Sequence, residues 1–361
     1  MHITLIAGAR PNFIKIAPLI HAIQAAQKDG KKISYRLVHT GQHYDRNMSD
    51  TFFEELNIPT PDINLGCGGG TQAEQTAAIM MAFEKDLTAH PTDLVLVVGD
   101  VTSTMACSIV AKKLNTKVTH VEAGIRSWDL TMPEEINRMV TDCLADYYFT
   151  TSEVANQNLR NAGVTKDRIH FVGNVMIDTL RANEARFVRP QVFDELGLEE
   201  KKYIVMTLHR PANVDEADKL RKLINQITEN VNGEPIVFPI HPRTAKIFKD
   251  LGIRADNLYT IEPLGYLEFN YLVKHARAVV TDSGGITEET TVMGVPCITL
   301  RDNTERPETC TIGTNELIGT NPDNIAPALR TLYAGQWKKG AIPPLWDGHT
   351  AERIVEILLQ K

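Results

Sequence analysis

Short apolar runs alternate with helical patterns along the whole chain. Some runs, such as Leu94–Val98, are apolar at every position, which is typical of strands buried on both faces of a parallel sheet. After Pro11, which suits the first turn of a helix, Ile16, Leu19 and Ile23 fall on one helical face. The alternation predicts an α/β fold with parallel sheets. We predict strands at 3–7, 35–39, 94–98, 118–121, 147–150, 170–172, 203–207, 236–240, 258–261, 278–280 and 297–300.

The chain is long enough for two domains, since 361 residues exceed the roughly 150 of an average domain about twofold. The first series of strands ends at residue 172, and a charged segment at 199–202 precedes the second series. We therefore expect domains at 1–172 and 173–347, with an amphipathic helix in 348–361 that could pack on either. Two such domains are expected to face each other across a central cleft. Ligands of parallel sheets bind at the carboxyl ends of strands, so candidate chemistry is sought there.

Composition narrows the class of protein. The 38 basic and 45 acidic residues give a net charge of −7, which argues against a nucleic-acid or anionic-membrane binder. No uncharged apolar stretch approaches the roughly 20 residues that span a bilayer, and the amino terminus does not resemble a signal peptide. The five cysteines are scattered, which argues against disulfides and zinc sites. We expect a cytoplasmic protein.

The first strand ends in a glycine turn that bears cations. Arg10 closes this turn at 8–11, and Lys15 lies one helical turn further on. Backbone N–H groups and the helix dipole favour an anion at such a place. The alternative is a tight turn with a surface arginine. The glycine spacing fits neither a dinucleotide-binding fingerprint nor a P-loop.

Three carboxylates follow strands in the first half. Asp100 is either a helix N-cap or a functional acid. Glu122 directly follows a strand that appears buried, where a carboxylate is costly unless it is paired or employed. Glu134 lies in the first turn of a helix, and the helix dipole alone would explain an acid there.

The second half supplies a histidine and a glycine-rich turn. His209 follows a strand and fits a phosphate partner or a general acid–base; no carboxylate lies at metal-ligand spacing from it, so no metal is expected. At 283–285, Ser283, Gly284 and Gly285 lead from a strand into a helix, an arrangement that favours a diphosphate. Glu289, one turn inside, is placed to hold a ribose diol.

Two further residues have open alternatives. Phe269 either stacks on a base or belongs to the core. The charge-rich segment 301–308 is either a solvated loop or the source of a second cation beside the diphosphate.

Four motifs together resemble one family. They are His-Val-Glu-Ala-Gly at 120–124, Pro-Glu-Glu-x-Asn-Arg at 133–138, Asp-Ser-Gly-Gly-Ile-x-Glu-Glu at 282–289 and Thr-Glu-Arg-Pro-Glu at 304–308. Their combination and order are similar to the non-hydrolysing branch of the UDP-N-acetylglucosamine 2-epimerase family, and the resemblance covers nearly the whole chain.

The resemblance implies a GT-B-like fold with two Rossmann-type domains, the nucleotide on the second domain and the last helix packed back on the first. It implies an isomerase that interconverts UDP-N-acetylglucosamine and UDP-N-acetylmannosamine, with no metal or cofactor, acting as a homodimer in cell-surface polysaccharide synthesis. The residues that match the family's functional positions are Asp100, Glu122, Glu134 and His209 for catalysis, and Arg10, Lys15, Arg138, Phe269, Ser283, Gly284, Gly285, Glu289 and Arg306 for substrate binding.

The sequence departs from the family at two places. At 211–213 it reads Pro-Ala-Asn where many members have Arg-Glu-Asn, and 66–70 lacks the arginine through which some members bind an activating second substrate. A hydrolysing epimerase and a GT-B glycosyltransferase remain the alternatives. Which carboxylate serves as base on each face of the sugar is left open.

Overall fold

The predicted alternation of strands and helices is present in the computed structural model, which describes residues 1–42, 53–240 and 242–361. The strands are β1 His2–Ala7, β2 Ser34–His39, β3 Ile63–Asn64, β4 Leu94–Val98, β5 Lys117–Val121, β6 Tyr147–Thr150, β7 Ile169–Phe171, β8 Ile204–Thr207, β9 Ile236–Pro239, β10 Leu258–Ile261, β11 Ala278–Thr281, β12 Cys297–Thr299 and β13 Asn315–Leu317. The helices are α1 Arg10–Lys28, α2 Gln72–Ala89, α3 Thr102–Lys113, α4 Pro133–Leu144, α5 Glu153–Asn161, α6 Val175–Asn183, α7 Gln191–Glu195, α8 Pro211–Val214, α9 Ala217–Glu229, α10 Pro242–Asp250, α11 Tyr266–His275, α12 Gly284–Met293, α13 Pro307–Thr311, α14 Ile325–Tyr333 and α15 Thr350–Leu358.

The strands form two parallel sheets. One has seven strands in the order β3-β2-β1-β4-β5-β6-β7, and the other has six in the order β10-β9-β8-β11-β12-β13. Every strand pair in both sheets is parallel. The predicted fold class, two α/β domains with Rossmann-type sheets, is confirmed. The apolar runs of the central strands are buried on both faces, as Leu94–Val98 illustrates.

The direction of winding reverses once in each sheet. In the first sheet the reversal lies between β1 and β4, and in the second between β8 and β11. At such a point the connections leave on opposite faces of the sheet and open a crevice at the carboxyl ends of the strands. Each sheet therefore has one preferred ligand position.

The chain divides into a first unit, Met1–Ala182 with Pro344–Lys361, and a second unit, Asn183–Pro343. This division differs from the predicted boundary at 172, because helix α6 packs on the first unit. In it, Thr179 donates a hydrogen bond to the carbonyl of Ile14 at 2.5 Å, and Asp178 accepts one from the Ala351 amide at 2.7 Å. The returning segment adds the buried Trp346, whose indole donates to the Thr151 carbonyl at 2.9 Å.

Two strands were not predicted. Ile63–Asn64 extends the first sheet beyond β2, and Asn315–Leu317 extends the second beyond β12. Both are edge strands of two or three residues, too short to show a periodic pattern of their own.

None of the helices in the described ranges is long and apolar enough to cross a bilayer. Within the same ranges, no three histidine, cysteine or acidic side chains converge in a way that suits a metal ion.

Candidate active site

The turn after β1 is tied to the neighbouring strand rather than open to an anion. Asn12 accepts hydrogen bonds from the amides of Gly8 and Ala9, both at 3.1 Å, and donates to the Val98 carbonyl at 3.0 Å. A Cβ atom on Gly8 would lie 2.2 Å from the Ser103 hydroxyl, so only glycine fits there. Both turn amides are thus occupied. The side chain of Arg10 lies outside the described part of the chain.

Lys15 and Glu122 form a buried ion pair at the end of β4 and β5. The Lys15 ammonium lies 2.6 Å from Glu122 Oε2, and the glutamate side chain is 2% exposed. Glu122 has a φ of +70°, a left-handed conformation that non-glycine residues seldom adopt and that clusters at functional sites. Gly99 lies directly beneath, since a Cβ there would come within 3.0 Å of the Lys15 ammonium. The structure therefore places Lys15 against the candidate acid.

Asp100 is not an N-cap. Helix α3 begins at Thr102 with Val101 as its N-cap residue, whereas the Asp100 carboxylate pairs with the Arg138 guanidinium at 2.5 Å. Asn137 donates to the Asp100 carbonyl at 2.8 Å. Helix α4 thus positions Asp100 by a side-chain and a backbone contact.

The two acids at the start of α4 have different environments. Glu134 is exposed, while Glu135 is buried and accepts hydrogen bonds from the Ser127 and Trp128 amides and from Arg138. Burial would raise the pKa of Glu135, but the amide of Ser127 and the Arg138 guanidinium outweigh it and lower the pKa. Glu135 is therefore a fixed anion that orients Arg138, a role the sequence did not reveal.

A second buried group lies behind these acids. The ring of His120 contacts the Asp142 carboxylate through Nδ1 at 2.7 Å and the Gly99 carbonyl through Nε2 at 2.8 Å. The other Asp142 oxygen contacts Arg126 at 2.6 Å and the Gly124 amide at 3.0 Å. Burial works to raise the pKa of Asp142, yet His120 and Arg126 lower it overall. The side chains of His120 and Asp142 were not singled out from sequence.

In the second unit, Asp282 joins the ends of β8 and β11. It is buried and accepts hydrogen bonds from the amides of His209 and Arg210 and from the side chain of Asn213, at 3.0 to 3.1 Å. Burial opposes ionisation, but His209 and these donors lower the pKa of Asp282. Asn213, in the segment that departs from the family pattern, keeps this contact and also donates to the Leu300 carbonyl at 3.0 Å.

His209 itself is 53% exposed, with Nδ1 3.5 Å from Asp282 Oδ1. The aspartate therefore fixes the backbone of His209 and orients its ring, while the outer part of the ring faces solvent.

The predicted diphosphate site begins helix α12. Ser283 is the N-cap residue, and Ser283 to Gly285 are half-buried. The Arg301 guanidinium lies 3.7 Å from where a Cβ of Gly284 would be. Arg301 pairs with Glu305 at 2.7 Å, and Arg210 approaches the same carboxylate at 3.7 Å. Helix-terminal amides and two arginines thus converge on this place, together with the Glu305 carboxylate, which lies 3.9 Å from the same Cβ position.

The Arg306 guanidinium pairs with the buried Glu288 carboxylate, and its assignment to the phosphates stays a prediction. Arg301, from the same charge-rich segment, approaches the start of α12. The position of Arg301 could have identified it from the sequence. It lies two residues after the strand Cys297–Thr299, at the same carboxyl edge of the sheet as Ser283.

Glu289 is buried and accepts a hydrogen bond from the Tyr266 hydroxyl at 3.0 Å. Burial raises its pKa to about 7. Burial likewise raises the pKa of Glu308 to about 7. Phe269 is half-buried and packs against the apolar cluster around Leu272, with part of its ring accessible, so its stacking on a base stays a prediction.

Comparison with known proteins identifies the family to which the chain is similar. The family model described as UDP-N-acetylglucosamine 2-epimerase matches residues 24–359. The chain is 40% identical to the UDP-N-acetylglucosamine 2-epimerase of Methanocaldococcus jannaschii, over 99% of both proteins. It is also 40% identical to a UDP-2,3-diacetamido-2,3-dideoxy-D-glucuronate 2-epimerase of Pseudomonas aeruginosa, again over 99% of both.

The same fold occurs in a solved structure. The Methanocaldococcus jannaschii UDP-GlcNAc 2-epimerase, in complex with UDP-GlcNAc and UDP, superposes with a TM-score of 0.89 at 40% identity, over 100% of both chains.

Proposed function

The chain belongs to the UDP-N-acetylglucosamine 2-epimerase family, and we propose that it is the non-hydrolysing enzyme that interconverts UDP-N-acetylglucosamine and UDP-N-acetylmannosamine. The observation that carries the proposal is the Lys15–Glu122 ion pair on a left-handed turn, beside the Asp100–Arg138 pair. Such acids are what a reaction at the sugar C2 requires.

The C2 hydrogen of this sugar is not adjacent to a carbonyl group, so its direct removal would leave an unsupported carbanion. Elimination avoids this: a carboxylate takes the C2 proton, the C1–C2 double bond forms, and the C1–O bond breaks as UDP departs with its electron pair. Protonation of 2-acetamidoglucal on the opposite face and return of UDP to C1 complete the inversion. Two proton-transfer groups on opposite faces are therefore needed.

The first unit supplies acids for these transfers. The Lys15 ammonium, 2.6 Å from Glu122 Oε2, fixes the position of this carboxylate at the strand end. Asp100 is partly exposed, and Glu134 is exposed on α4, so both remain accessible to a substrate. We assign proton transfer to these three carboxylates, with Arg138 orienting Asp100.

The second unit supplies the nucleotide site. The amides at the start of α12, together with Arg210 and Arg301, favour the departing diphosphate. His209, exposed at the end of β8, is assigned to contact a phosphate. Buried Glu289 offers acceptors to ribose hydroxyls, and the accessible part of Phe269 offers a face to uracil. Arg10 and Arg306 remain assigned to the phosphates through the family resemblance alone.

The test is incubation with UDP-N-acetylglucosamine in D₂O without an acceptor. The non-hydrolysing enzyme incorporates deuterium at C2 and leaves a mixture of two UDP-sugars. Release of UDP with free N-acetylmannosamine identifies the hydrolysing reaction, and turnover only with added acceptor identifies a glycosyltransferase. Because the Pseudomonas aeruginosa relative is named as a UDP-2,3-diacetamido-2,3-dideoxy-D-glucuronate 2-epimerase, this UDP-sugar is a second substrate to assay. Exchange with this sugar and not with UDP-N-acetylglucosamine overturns the proposed substrate.

We further propose that the enzyme acts as a homodimer in the cytoplasm, where it supplies N-acetylmannosamine for cell-surface polymers. The chain mass is 40.2 kDa, so light scattering should give about twice this value. A mass equal to one chain contradicts the dimer.

A further inference from the structure

We propose that Asp142 and His120 are positioning residues, which hold the turns bearing Glu122 and Asp100 in the geometry that proton transfer requires. The inference rests on the proposed function. It starts from the conformation of Glu122, whose φ of +70° is unfavourable for a side-chain-bearing residue and must be enforced by its surroundings.

Asp142 contacts the chain on both sides of Glu122. One carboxylate oxygen is 2.7 Å from His120, two residues before, and the other is 3.0 Å from the Gly124 amide, two residues after. A single buried carboxylate therefore fixes both ends of the segment that is bent at Glu122. The Ala123 amide donates to the Phe149 carbonyl at 3.1 Å and holds the middle.

His120 extends this support to the neighbouring strand. Its Nε2 lies 2.8 Å from the carbonyl of Gly99, the residue before Asp100. The Gly99 amide in turn donates to the Val121 carbonyl at 3.0 Å. The turns that carry the two acids are thus joined through one imidazole ring.

Both ring nitrogens of His120 face acceptors. A carbonyl oxygen can only accept a hydrogen bond, and an ionised carboxylate can only accept one. The ring is therefore held at both nitrogens, by Asp142 at Nδ1 and by the Gly99 carbonyl at Nε2. The second Asp142 oxygen is held by Arg126 at 2.6 Å.

Helix α4 is the common support. Asp142 lies one turn after Arg138, which pairs with Asp100, and Asn137 binds the Asp100 backbone. The acids after β4 and β5 therefore depend on three side chains of one helix. Loss of any one of these three side chains is expected to disturb the two acids, whether or not that side chain contacts the substrate.

The test compares Asp142→Asn with Asp86→Asn. The asparagine keeps one acceptor oxygen for Gly124, but its NH₂ group replaces the oxygen that faces His120 Nδ1, so the carboxylate contact on that side of Glu122 is lost. We expect kcat to fall roughly 100-fold, the usual cost of a misplacement near 1 Å, with KM changed by less than about threefold. Asp86 forms a buried pair with Arg36 in the same unit, so Asp86→Asn lowers the melting temperature without lowering kcat. A loss of kcat no greater than that of the control overturns the proposal.

A crystal structure of Asp142→Asn gives a readout that does not depend on activity. We expect Glu122 to leave the positive-φ region or to lose its contact with Lys15, and a turn that keeps both overturns the proposal. If the wild-type protein shows no C2 exchange, the proposed function fails, while this structure still decides the positioning role. Should Asp142→Asn not fold, His120→Gln, which abandons Asp142 but can still reach the Gly99 carbonyl, serves in both measurements.

Discussion

The two units share a sheet topology and differ in how acids are held at its carboxyl edge. In the first unit the acids meet cations: Glu122 meets Lys15 at 2.6 Å, and Asp100 meets Arg138 at 2.5 Å. In the second, Glu305 and Glu288 also meet arginines, but the buried Glu289 accepts from a neutral tyrosine hydroxyl at 3.0 Å. The strand order fixes where ligands bind in both, but the partners of the acids decide what each edge can do.

The contrast has a direct electrostatic consequence. A cation within hydrogen-bond distance offsets part of the cost of burying a carboxylate. Without a cation beside it, burial raises the pKa of Glu289 to about 7. The proposed function assigns proton transfer to the paired acids of the first unit and nucleotide binding to the second.

The largest effect is expected when the negative charge of Glu122 is removed from the carboxyl edge of the first sheet. We expect Glu122→Gln to lower the C2 exchange rate by at least about 100-fold, the scale of an acid–base group, because the amide cannot accept the proton. The measurement is deuterium incorporation with UDP-N-acetylglucosamine. Glu153→Gln, which changes an exposed glutamate in the same unit, is the control. Near-normal exchange in Glu122→Gln removes the carboxylate assignment.

Asp178 sharpens the comparison, since this acid of the first unit is held by backbone amides and burial raises its pKa to about 6 from 3.8. Because the pKa of Asp178 is raised in the folded state, its protonated carboxyl contributes fully to stability below pH 4. This contribution is lost as the pH rises to 6. Relative to wild type, Asp178→Asn should therefore gain about 2 kcal/mol in free energy of unfolding over this interval. Denaturant titrations at pH 4 and 7 measure it, and a difference that is constant with pH contradicts it.

A third prediction concerns the backbone of the second edge. In Gly284→Ala the nearest protein atom to the new methyl group lies 3.7 Å away, so the fold should tolerate it. The methyl group meets the ligand instead, and we expect about tenfold weaker UDP binding, or 1.4 kcal/mol. Calorimetry measures the affinity, and an unchanged melting temperature shows that the fold is intact. Unaltered affinity places the diphosphate elsewhere.

The smallest effect is a pH dependence. Because the pKa of Glu289 is about 7, the carboxyl is mostly protonated at pH 6 and mostly ionised at pH 8. If only the ionised form accepts ribose hydroxyls, UDP-N-acetylglucosamine should bind about threefold more tightly at pH 7.5 than at pH 6.5. The dependence should vanish in Glu289→Gln, and its persistence there assigns it to another group.

Much of the fold could be predicted because most strands carry a recognisable apolar or β-branched run. Leu94–Val98 and Tyr147–Thr150, inside the first sheet, and Leu258–Ile261, at the edge of the second, have the bounds that their sequences indicate. The edge strands Ile63–Asn64 and Asn315–Leu317 could not be predicted, since two or three residues carry no period and their pairing depends on a neighbour distant in sequence.

Less of the site could be predicted from the sequence. Asp100, Glu122 and Ser283 could be identified because they follow predicted strands, and the order of elements indicates that such positions lie at the carboxyl edge of a sheet. The roles of Asp282 and Asp142 could not be read in this way, since each depends on the meeting of separate segments. Asp282 binds the amide of His209, 73 positions away, and such proximity is a property of the fold alone.

The return of Pro344–Lys361 to the first unit affects how the protein is made. Because Trp346 and helix α15 are synthesised last, the first unit cannot complete its packing until the final segment has left the ribosome. Removal of Pro344–Lys361 is therefore expected to destabilise the first unit, although that unit is synthesised first, more than the second.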